Sequence, residues 1–507
     1  MTTALDGMLG ECRTAALSRP WPRLEVGVAQ WRVAASELAA GRWILIALWA
    51  EPQVVHLAVR EDATGRIAIL SLPCPGRTFP SLADSHPPVI RLERAIQDLV
   101  GLTAEGLPDS RPWLDHGRWQ VEHPLAKIPG RSRGWKDYQF LPVEGANLHQ
   151  IPVGPVHAGI IEPGHFRFTA SGETVARLEE RLGYVHRGIE HLMIGSSLEH
   201  ASRLAGRASG DSTVAYALAF ARAVEAAIGI EISPRVHALR AVMAELERMA
   251  NHLGDIGAIC NDAAFALMLA HLSALREHVL RASMAVFGHR LMMDVIVPGG
   301  LARDITRDEI AELRNLLRVI ESSFPRLVEL YDNTTSLQDR TATTGIVSSD
   351  LVHTFGAGGF VGRASGRNFD ARRSPGYPPY ESLAFEVPVR KEGDVNARIW
   401  IRIREVEQSL RLLHQLLDHL PEGPVAADPA KLGSGTSCEG VSLIESFRGD
   451  IFAWVRIDDG GKIARCHLRD PSWFQWPLLE AAIEGNIVAD FPLCNKSFNC
   501  SYAGHDL

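Results

Sequence analysis

The cysteines decide which metal chemistry this sequence can support. There are seven among 507 residues and no two form a CxxC pair; the closest, Cys494 and Cys500, are six positions apart. Preformed zinc and iron–sulfur sites use more closely spaced thiolates. An odd number of scattered cysteines also argues against a disulfide framework. We therefore expect free or half-buried thiols in a reducing compartment.

The composition excludes several other classes of function. Apolar residues make up 46% of the chain and charged residues 22%, as in ordinary globular proteins. The formal net charge of −8 gives no support to a nucleic-acid partner. The apolar runs are far shorter than the roughly 20 residues that span a bilayer, and the N-terminus lacks a secretory pattern. We expect a cytoplasmic protein with two or three units.

The first 130 residues are predicted to form a small α+β domain. Short apolar runs at 43–49 and 54–59 predict buried strands, and apolar residues at helical spacing predict a helix over 90–102. The chain then becomes basic and rich in glycine. This change predicts a linker over 131–149.

The remaining residues, 150–507, are predicted to form a large, mainly α-helical domain with small β additions. One helix begins with Ser233 as cap and Pro234 in its first turn, and its apolar positions continue until Gly254. The expected fold class of the whole chain is α+β.

Three further helices and a hairpin are predicted within this second domain. The helix that starts near residue 308 has a capping box in Thr306 and Glu309. A hairpin turn separates two apolar runs near the C-terminus. The helices are predicted over 263–287, 308–330 and 398–420, and the paired strands over 452–457 and 463–468.

A series of motifs in the second domain carries a family resemblance. Residues 154–166, GPVHAGIIEPGHF, resemble the opening of the large subunits shared by group 4 membrane-bound nickel–iron hydrogenases and respiratory complex I. Residues 184–190, YVHRGIE, resemble the Arg-Gly-x-Glu loop of that family. Further matches follow in the same order at 229–253, 298–300, 363–366, 370–372 and 393–398.

The first domain resembles, more faintly, the 30 kDa subunit that accompanies the 49 kDa large subunit in complex I. A fusion of the two is similar to the large subunit of formate hydrogenlyase. The resemblance therefore implies a 30 kDa-type domain over 1–130 and a 49 kDa-type domain over 150–507.

The resemblance implies four cysteine ligands for nickel, and this chain has none of them. The four places fall on Ala205, Ala208, Ser501 and Gly504. Nickel needs several soft thiolate ligands, so a nickel–iron centre is not expected. Cys500 lies one residue before an expected position and could reach inward after a local shift. The chain also ends at residue 507, which implies that no maturation tail is removed.

Three polar residues near the expected ligand positions are candidates for chemistry. The resemblance implies that Glu190 binds magnesium or lines a proton route; the alternative is a buried carboxylate paired with Arg187 or another arginine. His157 and His165 match places near a quinone headgroup, where a histidine donates a hydrogen bond or proton. The alternative for both is a structural histidine with satisfied hydrogen bonds.

Other charged residues fall on segments that the family packs inside. Arg207 and Asp211 either fill the emptied space as an ion pair or carry protons. A larger set is expected to form a buried ion-pair network, with proton movement as the alternative. Its members are Arg363, Asp370, Arg372, Asp394, Arg398, Arg402 and Glu405.

The resemblance implies a subunit of a complex-I-like, group-4-hydrogenase-related oxidoreductase without nickel–iron. It would lie on the inner face of the cell membrane with a small iron–sulfur subunit and with antiporter-like and anchor subunits in the membrane. Electrons would pass to a quinone-like acceptor, coupled to proton or ion movement. We assign catalytic roles to His157, Glu190, Arg187 and Asp211, and acceptor binding to His157, His165 and Arg207. Two alternatives remain: a non-redox structural or coupling subunit, and a hydrogenase with an altered metal site at Cys500.

Overall fold

The computed structural model describes residues 3–15, 18–131, 134, 137–145, 147–157, 161–427 and 435–507. Parts of the predicted linker (132–133, 135–136 and 146) and of the GPVHAGIIEPGHF motif (158–160) therefore lie outside the described residues. The architecture is α+β, with a small strand-rich N-terminal part and a large helical part, so the predicted fold class is confirmed.

A five-stranded sheet organises the N-terminal part. The strands are β1 Arg13–Thr14, β2 Ser18–Arg19, β3 Arg23–Glu25, β4 Trp43–Glu51, β5 Val54–Glu61, β6 Ile67–Pro73, β7 Thr78–Pro80, β8 Thr103–Glu105, β9 Val121–Glu122 and β10 Gly130–Arg131. The helices are α1 Ala4–Glu11, α2 Val28–Ala39 and α3 Ile90–Val100. The order of strands in the sheet is β1-β3-β6-β5-β4. The predicted strands and helix are present as β4, β5 and α3.

Thirteen described α-helices, five of them with 16 residues or more, organise the rest of the chain. They are α4 Ile189–Met193, α5 Leu198–Ala205, α6 Thr213–Ile228, α7 Pro234–Asp262, α8 Ala266–Phe287, α9 Arg307–Asp332, α10 Thr335–Thr341, α11 Ser349–Phe355, α12 Gly359–Ala364, α13 Val395–Asp418, α14 Ser472–Ile483, α15 Phe491–Phe498 and α16 Tyr502–Asp506. The strands are β11 Leu148–Val153, β12 His165–Ser171, β13 Thr174–Arg181, β14 Ile296–Val297, β15 Gly300–Leu301, β16 Cys438–Glu445, β17 Asp450–Ile457 and β18 Ile463–Arg469. In the described part of the chain, no helix is both long and apolar enough to cross a bilayer.

Helix α7 continues beyond its predicted end. The sequence placed that end at Gly254, but the helix runs to Asp262. The side chain of Arg276 on α8 packs against Gly254, where an added Cβ would lie 2.9 Å from the arginine Cδ. Glycine at this place therefore permits close helix packing and does not terminate the helix.

The N-terminal part adds a strand to the C-terminal sheet. This sheet has the order β18-β17-β16-β2, and β2 pairs parallel to β16. Strands β17 and β18 form the predicted hairpin.

The edge strand β4 of the N-terminal sheet packs against β18. Arg469 Nε donates to the carbonyl of Ile46 at 2.7 Å, and Arg465 Nη2 donates to that of Ala50 at 3.1 Å. Between the two arginines, the His467 ring stacks on Trp49 with centroids 5.1 Å apart. Alternate residues of a strand share one face, so all three side chains of β18 reach the same neighbour.

A network of buried charges joins α7, α12, α13 and β16. Arg363 is fully buried and donates to Glu445 at 2.8 Å and to Glu405 at 3.0 Å. Arg372 donates to Asp370 at 2.7 Å, and Asp370 lies 3.5 Å from Arg363. Four of the seven predicted members therefore lie in one network.

The other three predicted members have separate roles. Asp394 caps α13 by accepting from the Ala397 amide at 2.7 Å. Arg398 donates to backbone carbonyls and to the Ser497 hydroxyl. Arg402 pairs with Asp255 at 3.2 Å.

We expect Arg363→Ala to destabilise the protein by about 3–5 kcal/mol, because it leaves the carboxylates of Glu405 and Glu445 buried without their main cation. Thermal and urea unfolding of the purified chain measure this loss. Arg404→Ala is the control, since the Arg404 side chain is 58% exposed and pairs with Glu407 at the surface. Equal unfolding midpoints for the two variants would contradict the assigned role.

Candidate functional site

Two distant segments bring the four predicted ligand positions into one buried region. Ala205 ends α5 and Ala208 follows it, and both are inaccessible to solvent. Ser501 is the N-cap of α16, and Gly504 lies within that helix. The segments touch where the hydroxyl oxygens of Ser209 and Ser501 lie 2.8 Å apart.

A chain of hydroxyl groups runs from Ser501 to a carboxylate. Ser209 donates to Asp211 Oδ1 at 2.8 Å. Because an ionised carboxylate only accepts, Ser209 uses its hydrogen there and accepts from Ser501. Ser501 Oγ accepts in turn from the Gly504 amide at 2.9 Å. Each hydroxyl in the chain therefore has a donor and an acceptor.

Asp211 lies half-buried at the end of this chain and is held by the buried Arg448. The guanidinium Nη2 lies 2.6 Å from Asp211 Oδ2. Burial alone would raise the pKa of Asp211, but Arg448 and the hydroxyls of Ser209 and Ser212 outweigh it and hold the pKa below its ordinary value. Asp211 is therefore an ionised partner of a buried arginine.

The carboxylate of Asp470 occupies the space beside Gly504. A Cβ added at Gly504 would overlap that carboxylate. The Tyr216 hydroxyl donates to Asp470 Oδ2 at 2.6 Å and the Ser472 amide to Oδ1 at 2.8 Å. Burial, followed by the negative charge of Asp470, raises the pKa of Tyr216 well above its ordinary value, so the phenol keeps its hydrogen.

The residues present do not fit a nickel–iron centre. The four positions offer two methyl groups, one engaged hydroxyl and no side chain at Gly504. Burial raises the pKa of the Cys500 thiol well above its usual range, which disfavours a thiolate there. Among the residues that the structure describes, no three His, Cys, Asp or Glu side chains are arranged to hold a metal ion.

Glu190 pairs with His467, and the predicted pair with Arg187 is not formed. His467 Nδ1 lies 2.8 Å from Glu190 Oε1, which also accepts from the Leu468 amide at 3.1 Å. Arg187 instead donates to the carbonyls of residues 207 and 208 at 2.8 and 2.6 Å. The difference arises because Glu190 lies against β18, whereas Arg187 reaches across to the loop after α5.

The surroundings of Glu190 also do not fit magnesium. Burial raises its pKa, but His467 and Arg465 outweigh this effect and the pKa lies below its ordinary value. Magnesium needs several oxygen ligands. The Glu190 carboxylate is instead surrounded by N–H donors and a positive guanidinium.

Arg207 and Asp211 do not form the predicted ion pair. Arg207 pairs with Asp294 at 2.6 Å near the surface, where its side chain is 40% exposed. The Asp211 side chain is 36% exposed and pairs with the buried Arg448 at 2.6 Å. Each of the two side chains therefore has a different partner, Arg207 a surface carboxylate and Asp211 a buried guanidinium.

The two candidate histidines differ in their hydrogen bonds. His165 Nδ1 lies 3.3 Å from the Gly154 carbonyl, and Arg167 Nε donates to His165 Nε2 at 3.3 Å. His157 packs beside Phe166, with ring centroids 5.6 Å apart. Within the described residues, its buried Nε2 has no hydrogen-bond partner. Burial lowers the pKa of both rings.

Several residues of this site were missed by sequence reasoning. The carboxylate of Asp506 accepts from the amides of Gly183 and Val185 at 2.9 and 3.0 Å, and Glu162 accepts from that of Ala503 at 3.0 Å. These contacts fix α16 beside the Arg-Gly-x-Glu loop. The other missed residues are Ser209, Arg448, His467 and Asp470. Ser209, two residues before Asp211, had a local signal, but the others are defined only by distant contacts.

Comparison with known proteins identifies the family. The family model described as "Respiratory-chain NADH dehydrogenase, 49 Kd subunit" matches residues 262–439 and 433–506. The corresponding 30 Kd subunit model matches residues 50–129.

Individual relatives extend over most of the chain. Formate hydrogenlyase subunit 5 of Escherichia coli is 29% identical over 84% of this chain and 77% of its own length. Membrane-bound hydrogenase subunit alpha of Pyrococcus furiosus is 31% identical over 69% of this chain and 85% of its own. An NADH-quinone oxidoreductase subunit of Desulfotalea psychrophila is 32% identical over 69% of this chain and 93% of its own.

The chain belongs to the family that unites the 49 Kd subunit of respiratory-chain NADH dehydrogenase with the large subunits of these hydrogenases. Its N-terminal part matches the 30 Kd subunit, so the predicted fusion is confirmed.

We expect Gly504→Ala to lower stability by about 1–3 kcal/mol, because the new methyl group must displace the Asp470 carboxylate and break its bond with Tyr216. Urea unfolding followed by tryptophan fluorescence measures the change. Gly210→Ala is the matched control, since an added Cβ there meets nothing within 4 Å. A neutral effect of Gly504→Ala would show that the space beside Gly504 is still free.

The buried carboxyl group of Glu247, next to this site, should make the stability of the protein depend on pH. It accepts from the amides of Val214 and Ala215 at 2.7 and 3.1 Å, and burial raises its pKa to about 8. A carboxyl whose pKa is raised on folding stabilises the fold below its unfolded pKa, and this contribution is lost as pH rises through the folded value. We expect Tm to fall between pH 5 and pH 8.5, and less so in Glu247→Gln. The exposed Glu199→Gln is the control; identical pH profiles for both variants would refute the prediction.

Proposed function

We propose that this chain is the fused large subunit of a complex-I-like oxidoreductase in which protein hydrogen bonds have replaced the nickel–iron centre. The observation that carries the proposal is the state of the four ligand positions. Ala205 and Ala208 have no donor atom, Ser501 is engaged with Ser209, and Asp470 fills the space beside Gly504.

The proposed reaction is electron transfer to a quinone-like acceptor beside His157. The acceptor takes two electrons from an iron–sulfur cluster on a partner subunit and two protons, and becomes the quinol. Support comes from His157 Nε2, which is buried and has no hydrogen-bond partner among the described residues. A ring held there can donate to an acceptor oxygen. His165 has both ring nitrogens engaged, so its contribution is to position the strand.

The proton route is proposed to pass near the Arg-Gly-x-Glu loop. Glu190 and His467 form a hydrogen-bonded acid–base pair at 2.8 Å. Arg187 donates to the backbone carbonyls of residues 207 and 208, just before Asp211. Arg207 lies at the surface with Asp294, and we assign it no direct contact with the acceptor.

The proposed setting is a membrane-associated complex. Relatives bear names such as "Membrane-bound hydrogenase subunit alpha", and others are named as subunits of an NADH-quinone oxidoreductase. We propose that this chain likewise lies at the inner face of the cell membrane, with a small iron–sulfur subunit and with anchor and antiporter-like subunits in the membrane.

A second candidate is a coupling subunit without redox chemistry. It is favoured by the saturation of hydrogen bonds between Ser501, Ser209 and Asp211, which leaves that region as a rigid core. In this case the complex would assemble around the chain, and the acceptor would react elsewhere.

We expect the complex purified from its natural host to contain far less than one nickel per chain and to show no hydrogen-dependent reduction of a dye. The physical reason is the absence of thiolates at the four ligand positions. Elemental analysis and a hydrogen-uptake assay are the measurements, and a nickel-containing relative processed in parallel is the control. Stoichiometric nickel with hydrogen uptake would disprove the proposal.

His157→Ala distinguishes the two candidates. If His157 donates to the acceptor, quinone reduction by the assembled complex falls by about a hundredfold or more, as for loss of a general acid. His149→Ala is the matched control, because His149 is exposed on the neighbouring strand β11. Full turnover in an assembled His157→Ala complex would favour the coupling subunit.

Glu190→Gln tests the proton route in the same assay, with loss of turnover and retained assembly as the expected result.

A further inference from the structure

A cavity lies between the two parts of the chain, separate from His157. It encloses about 60 Å³ and opens to solvent at its mouth. Its walls are mostly apolar and come from β4 and α3. They include Leu48, Trp49, Leu92, Ile96 and Leu99.

One end of this cavity carries a buried arginine with free donors. Arg465 is only 6% exposed, and its Nη2 is used by the Ala50 carbonyl. Its Nε and Nη1 have no hydrogen-bond partner anywhere in the described chain. Unpaired buried donors of this kind are costly, because each has lost its water. Arg465 therefore offers N–H groups for which the protein supplies no acceptor.

A histidine beside it offers an acceptor. His467 Nδ1 faces the Glu190 carboxylate, which can only accept, so a ring with a single hydrogen carries it on Nδ1. Its Nε2 is buried and, as far as the chain is described, has no partner. The cavity end therefore combines donors from Arg465 with an acceptor on His467.

The charges at this end select the kind of ligand. Two carboxylates, those of Glu190 and Asp506, line the cavity together with the single guanidinium of Arg465. An anionic ligand would meet more negative than positive charge. A neutral molecule with one oxygen would satisfy Arg465 without adding charge.

We propose that this cavity binds a neutral, mainly apolar molecule that carries a carbonyl oxygen, with the oxygen accepting from Arg465. A ligand hydroxyl could also donate to His467. The apolar part lies against α3 and Trp49, so the molecule bridges the two parts of the chain. This site is independent of the acceptor proposed beside His157, and binding alone tests it.

Three probes of similar size distinguish the recognised chemistry. Acetophenone carries the carbonyl, ethylbenzene lacks it, and benzoate replaces it by a charge. We expect calorimetric titration of the full chain to give the tightest binding for acetophenone, because only its oxygen satisfies the arginine without added negative charge. Equal binding of acetophenone and ethylbenzene, or a preference for benzoate, would overturn the proposal.

Two variants place the binding in this cavity. Arg465→Met removes the donors. It should weaken the binding of acetophenone at least about tenfold and leave the binding of ethylbenzene unchanged. Because Arg465 also holds β4, Ala95→Leu provides a second test that fills the cavity from α3 without removing a polar group. Ala95→Leu should weaken the binding of both acetophenone and ethylbenzene.

Arg404→Met and Ala39→Leu make the same changes at exposed positions and should leave binding unaltered. Acetophenone affinity unchanged by both Arg465→Met and Ala95→Leu would rule out the site.

Discussion

The contact between β18 and the edge strand β4 is the interaction on which the rest of the structure depends. An edge strand exposes unpaired carbonyl groups that invite pairing with another chain, and burying them without donors is costly. Here Arg465 and Arg469 supply donors to the carbonyls of Ala50 and Ile46. The same strand presents His467 and the Leu468 amide to Glu190. The same strand, β18, therefore both binds the N-terminal sheet and orients Glu190 in the site.

Hydrogen bonds within the protein hold the four expected ligand positions together. A buried carboxylate is costly unless it is paired, and Asp470 has Tyr216 and a backbone amide. The half-buried Asp211 has Arg448. The hydroxyls of Ser209 and Ser501 connect the two segments that metal ligation would otherwise join. With the Asp470 carboxylate against Gly504, these contacts leave a packed interior at the four positions.

Sequence patterns predicted the elements better than the contacts between them. Apolar runs located β4 and β5, and the capping box of Thr306 and Glu309 located the start of α9, because these signals are local. The alternative for Glu190 paired it with Arg187, three residues away, or with another arginine, but its partner is His467, 277 positions distant. Asp211 and Arg448 are separated by 237 positions. Only the tertiary fold decides between such candidates, since many charged residues could satisfy the same carboxylate.

Several buried polar atoms that have no hydrogen-bond partner in the described part of the chain lie away from the four expected ligand positions. They are therefore the better places to look for ligand binding. The Ser501 hydroxyl both donates and accepts in the contacts described above, so a ligand that binds it would have to break an existing bond. His157 Nε2 and the Arg465 N–H groups are different, because within the described residues they are buried without partners. A native protein rarely maintains such groups at no benefit, since each costs about 1–3 kcal/mol. Ligand chemistry in this chain is therefore expected at its unsatisfied polar atoms, and the saturated core serves to hold them in place.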